Sequence, residues 1–94
     1  MPLRTFTLSA TIVTADPIGV RAALSDVLGR SVVARADGQG LTVEGSGIVG
    51  VEARELNRRL CSAVLSVDAA ARVHAEWTAD GISERFRGYV YVKG

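Results

Sequence analysis

From Leu3 to Val13 the chain alternates. Phe6, Leu8, Ala10 and Ile12 share one side, and Thr5, Thr7, Ser9 and Thr11 take the other. A period of two predicts a half-buried strand. After Asp16-Pro17 the period changes. Val20, Leu24, Val27 and Leu28, with Ala23, recur at helical spacing. Asp can cap free N–H groups there, and Pro in the first turn gives up no hydrogen bond. Gly29 suits the end of this helix. Ser31 to Ala36 predicts a second strand, "DGQG" (Asp37–Gly40) a turn, and Leu41 to Glu44 a third strand. The second helix is predicted from about Val51 to Val67. Its buried stripe is Val49, Ala53, Leu56, Leu60, Val64 and Val67, in steps of three and four. Glu55 stands four residues before Arg59, a spacing that favours an ion pair on the wet side.

The segment "RVHAEWTADGISERFRGYVYV" predicts a hairpin, because Asp80-Gly81 fits a two-residue type I′ turn. That turn opposes Glu76 to Arg85, His74 to Arg87, Arg72 to Tyr89 and Thr78 to Ser83. On the other side it opposes Ala75 to Phe86 and Val73 to Gly88, while Trp77 meets Glu84. Only this register separates polar from apolar positions at all but one pair.

The predicted order is β-α-β-β-α-β-β. In element order alone it resembles a two-layer ferredoxin-like sandwich, an α+β fold. That layout implies an antiparallel sheet with both helices on one face, here extended by a C-terminal β-hairpin. At 94 residues the chain is read as a single α+β domain over 1–94. A domain this small buries about two-thirds of its unfolded surface, and many such domains gain stability by oligomerising.

Charge changes the picture little. Residues 1–53 hold four Arg and five acids, and residues 54–94 seven Arg or Lys and five acids, for a formal net charge of +1. So mild an asymmetry does not call for a polyanion partner. Cys61 stands alone, which rules out an intramolecular disulfide. "MPLRTFTLSATIV" lacks a basic leader and a continuous apolar run, and no stretch approaches the ~20 apolar residues of a membrane span. These features predict a cytoplasmic protein without membrane contact.

One motif invites a nucleotide. "LTVEGSGIVGVEARELNRRL" (Leu41–Leu60) reads as strand, G-x-G-x-x-G and helix. As a phosphate loop, Gly45 would make the tight turn, Gly47 the close approach and Gly50 the helix–strand packing. Against this, Glu44 and Glu52 flank the loop and would repel phosphate. The chain is also too short for the usual parallel sheet, and no ribose-binding acid follows. We read a bulged connection in which Gly supplies positive φ, and no cofactor.

Other chemistry is sparse. His74 is the one histidine and lacks the companions of a metal or catalytic site. Cys61, beside Leu60, reads as a buried small hydrophobe. Arg54, Arg58 and Arg59 read as a solvated face. The uncovered sheet face is the interesting surface. It brings together Arg72, His74, Glu76, Arg85, Arg87, Tyr89 and Tyr91, beside Thr5, Thr7, Ser9, Thr11, Thr42 and Glu44. Tyr and Arg are residues favoured at protein interfaces.

The expectation is a non-catalytic protein acting through self-association, a dimer first, or through a protein partner. The contact surface would be this face or the edge strand "YVYV". A small-molecule site or enzyme of the dimeric ferredoxin-like type, using His74, Glu76 or Arg85, is the alternative reading. Single-stranded nucleic acid on the Tyr/Arg face is a third, disfavoured by Glu44 and Glu76 and by the lack of stacking rings on the first and third strands.

Overall fold

The computed structural model describes residues 3–29, 32–38, 40–79 and 82–87; Asp37 and 82–87 are described by their backbone alone. In chain order the elements are β1 (Arg4–Val13), α1 (Pro17–Leu28), β2 (Val32–Asp37), β3 (Gly40–Gly50), α2 (Ala53–Val67), β4 (Arg72–Ala79) and β5 (Ile82–Arg87). The strands form one sheet in the order β2-β3-β1-β4-β5, with every neighbouring pair antiparallel. Among the described residues no helix is long and apolar enough to cross a membrane.

The alternation of β1 becomes burial. Phe6, Leu8, Ala10 and Ile12 are buried, and Thr5, Thr7, Ser9 and Thr11 are exposed. β4 repeats the pattern: Val73, Ala75, Trp77 and Ala79 are buried, opposite the row that carries Arg72 and His74. These inward residues join Val20 and Leu24 of α1 and Leu56, Leu60 and Val64 of α2 in one apolar cluster. Trp77 is the largest side chain fully enclosed in it, and its ring meets Phe6 edge to face with centroids 6.3 Å apart. The indole N–H donates to Asn57 Oδ1 at 3.2 Å, so the core's bulkiest group leaves no donor unpaired.

α1 starts as its sequence predicts. Asp16 accepts from the Gly19 N–H at 3.1 Å, and Pro17 fills the first turn. Two apolar positions depart from expectation. Val27 of the predicted α1 stripe is exposed, because it faces an open groove between α1 and the Arg58–Ser62–Ser66 side of α2. Val49 does not belong to α2 at all. It stands in β3, exposed, and α2 starts only at Ala53.

The cause is a bulge. β3 does not stop at Glu44; it runs on to Gly50, and its register with β1 shifts between Phe6↔Ile48 and Leu8↔Gly45. Thr7 therefore spans two residues of β3, Ser46 and Gly47, with Gly47 at φ 71°. One extra residue reverses the in–out alternation: Leu41 and Val43 point inward before it, Ile48 and Gly50 after it.

Candidate functional site

The predicted phosphate loop is a strand. Gly45, Gly47 and Gly50 all lie within β3, Gly45 and Gly50 paired to β1 on either side of the bulge and Gly47 inside it, so they form no open cradle before α2. Two of them have a local use instead. Gly47 adopts the positive φ that a side chain would strain, and Gly50 lies so close to Leu56 that a Cβ would sit 2.8 Å from its side chain. Glu52 occupies the α2 N-cap position without a side-chain hydrogen bond.

The exposed side of the sheet can be read row by row, since directly opposed residues of an antiparallel pair share a face. One row crosses Val33, Glu44, Ser9 and Glu76 and ends opposite Arg85. The next crosses Arg35, Thr42, Thr11 and His74 and ends opposite Arg87. Thus β4 and β5 have the predicted hairpin register at all six described pairs, His74↔Arg87 through Ala79↔Ile82. Arg72 and His74 are exposed, and Glu76 is half-buried. Tyr89, Tyr91 and the Asp80-Gly81 turn lie outside the described residues, as does the "YVYV" strand.

Large apolar side chains rim this face. Leu3, Val13, Val33 and Val49 are 67%, 51%, 56% and 55% exposed, and they belong to the same rows as the hydroxyls of β1 or to rows adjoining them. At the centre stand the short side chains Thr5, Thr7, Ser9 and Thr11. Longer charged ones flank them.

Elsewhere the predicted assignments hold in part. Cys61 is buried, and its Sγ accepts from Asn57 Nδ2 at 3.7 Å, which ties the thiol to the Trp77 hydrogen bond. Arg54, Arg58 and Arg59 are exposed, with Glu55 within 3.5 Å of Arg58 and 3.8 Å of Arg59. An open groove of about 850 Å³ runs past Val27, Arg58, Arg59, Ser62, Leu65 and Ser66, on the helices and away from His74 and Glu76. The described residues contain no cluster of three His, Cys, Asp or Glu that could hold a metal.

One polar cluster had no sequence signal. Asp68, just beyond α2, accepts from Thr14 Oγ1 at 2.7 Å and from the Ala15 N–H at 3.1 Å through Oδ2, and from the Ala70 N–H at 3.0 Å through Oδ1. Thr14 Oγ1 in turn accepts from the Asp16 N–H at 3.1 Å. The Thr14 hydroxyl first, then the two amides, hold the Asp68 carboxyl below its ordinary value. The cluster locks the β1–α1 corner to the end of α2.

No protein-family model, curated protein or solved structure matches the chain.

Proposed function

We propose that this is a small non-catalytic binding protein that works by pairing with a second copy of itself through the exposed face of its sheet. In this reading the fold is a ferredoxin-like sandwich whose two helices cover the opposite face. The observation that carries it is the composition of the exposed rows. A row with two carboxylates, Glu44 and Glu76, and Arg85 opposite its end lies beside a basic row with Arg35 and His74 and Arg87 opposite its end, within a rim formed by Leu3, Val13, Val33 and Val49. A two-fold axis in the plane of contact can set the acidic row of one copy on the basic row of the other. Such an isologous contact is self-complementary in charge while it removes the apolar rim from water. The short hydroxyl side chains of β1 allow two sheets to approach closely there.

Mass-resolved light scattering at tens of micromolar tests this, a concentration well above the dissociation constants of ordinary homodimers. The expected result is twice the 9.9 kDa chain mass. Val13→Glu and Val49→Glu should each weaken the dimer by roughly tenfold, about 1.4 kcal/mol, by putting a charge into the apolar rim. Ile18→Glu, on exposed helix surface, should leave it unchanged. A monomer in the wild type overturns the reading.

A further inference from the structure

β2 ends the sheet among the described residues, so no described strand pairs with its outer edge. Its sequence, VVARAD, contains no Pro, and its register with β3 runs from Val32 to Asp37 without a bulge. Beside this edge, α1 leaves a groove of about 210 Å³ lined by Arg21, Leu24, Ser25, Val32, Val33 and Ala34. That volume is roughly seven water volumes, enough for an aliphatic side chain. Buried Leu24 and Ala34 make its floor apolar.

We propose that this edge and groove form a docking site for an extended acidic peptide segment of another protein, which would add to the sheet as a sixth strand beside β2. Backbone hydrogen bonds to the β2 edge would supply the affinity. Alternate side chains would divide between the α1 groove and the exposed sheet face, as in other strand-addition complexes. Charge identifies the occupant. Arg21 stands on the groove side of the edge and Arg35 on the other, both exposed, and neither makes an ion pair among the described residues. A strand with an apolar residue facing the groove and carboxylates reaching the two guanidinium groups satisfies both. A second copy of β2 would bring one carboxylate, Asp37, together with a second Arg21 and Arg35, a poorer charge match than an acidic segment.

The probe is a fluorescein-labelled valine–glutamate octapeptide, Glu-Glu-Val-Glu-Glu-Glu-Val-Glu, which as a strand puts valines and glutamates on one face and glutamates on the other, titrated by fluorescence anisotropy against the full chain at low salt. Saturable binding below about 100 µM is expected, weakening as salt rises because exposed charges are screened. Arg21→Glu and Arg35→Glu should each weaken binding at least roughly tenfold while the far-ultraviolet circular dichroism stays that of the wild type. The same peptide N-methylated at alternate amides, and a valine–lysine version, should not bind. Val49→Glu, in β3 four residues beyond the last β2–β3 pair at Gly45, should bind as the wild type does, which separates this site from the dimer contact. Absence of saturable binding, or equal binding of the N-methylated peptide, overturns the proposal. So does an Arg35→Glu variant that changes the oligomer mass but not peptide binding, since Arg35 would then serve the dimer contact alone.

Discussion

A single carboxylate joins the β1–α1 corner to the end of α2. Asp68 takes three donors, two of which come from Thr14 and Ala15, more than fifty residues away. Its carboxyl is held below the ordinary value of 3.8, so the sign of the pH effect follows directly. A depressed folded-state value means that the stabilisation is fully present above 3.8 and is lost as pH falls through the folded-state value. Asp68→Ala should therefore lower Tm at neutral pH, and the gap to the wild type should close in acid below 3.8; thermal melts across that range measure it. Thr14→Val, which removes a buried hydroxyl making two hydrogen bonds, should cost about 1–2 kcal/mol. In a domain of this size each kcal/mol is about 4–8 °C in Tm. Thr14→Ser keeps the oxygen and should stay near the wild type. Nothing in the sequence points to this cluster, because an Asp near a helix end finds such partners only when distant segments meet.

At the scale of elements, the bulge in β3 explains both errors in the reading of residues 45–51. A run of glycines before a helix looks like a loop, and Val49 falls at helical spacing from Ala53 and Leu56. Yet the strand continues, because Thr7 can span Ser46 and Gly47 while the pairing resumes at Ile48. Gly47 and Gly50 then differ in what they tolerate. Gly47→Ala meets open space but a φ of 71°, so about 1 kcal/mol of backbone strain is expected. Gly50→Ala has ordinary backbone freedom but drives a Cβ to 2.8 Å from fully buried Leu56, an overpacking of about 1–3 kcal/mol. Chemical denaturation of the two variants separates these causes. Adding Leu56→Val should recover part of the Gly50→Ala loss and none of the Gly47→Ala loss. The C-terminal hairpin, by contrast, was legible, because its pairing is local. Six opposed pairs follow from one turn and from the need to keep Ala75 and Phe86 on a different side from Glu76 and Arg85.

Over the whole molecule, strand order sets which parts open together. β1 is paired on both sides along most of its length, to β3 and to β4, whereas β2 is paired on one side only among the described residues. Amides of β1 should therefore exchange with deuterium only through global unfolding, and those of β2 through local opening at lower free energy. Hydrogen exchange resolved by peptide checks this, and equal protection of β1 and β2 would contradict it. The same order bears on function. The proposed dimer contact lies across rows that run through β1, β3 and β4 and reach Val33 and Arg35 of β2. The proposed peptide site lies at the outer edge of β2, with which no described strand pairs.

The periods along the chain determined most of what is regular here: the seven elements, the inward and outward faces of β1 and β4, the Asp16 cap and the hairpin register. Each is a short-range consequence of backbone geometry and of which side chains leave water. Tertiary structure decided what depends on remote partners. It reversed the alternation in β3, moved Val49 from a helix stripe to an exposed sheet rim, left Val27 uncovered and gave Asp68 its donors. It also aligned Val33, Glu44, Ser9 and Glu76 in one row drawn from four strands. A local pattern states which side a residue prefers. Only the assembled sheet states which residues stand beside it, because that neighbourhood is built by chain segments far apart in sequence.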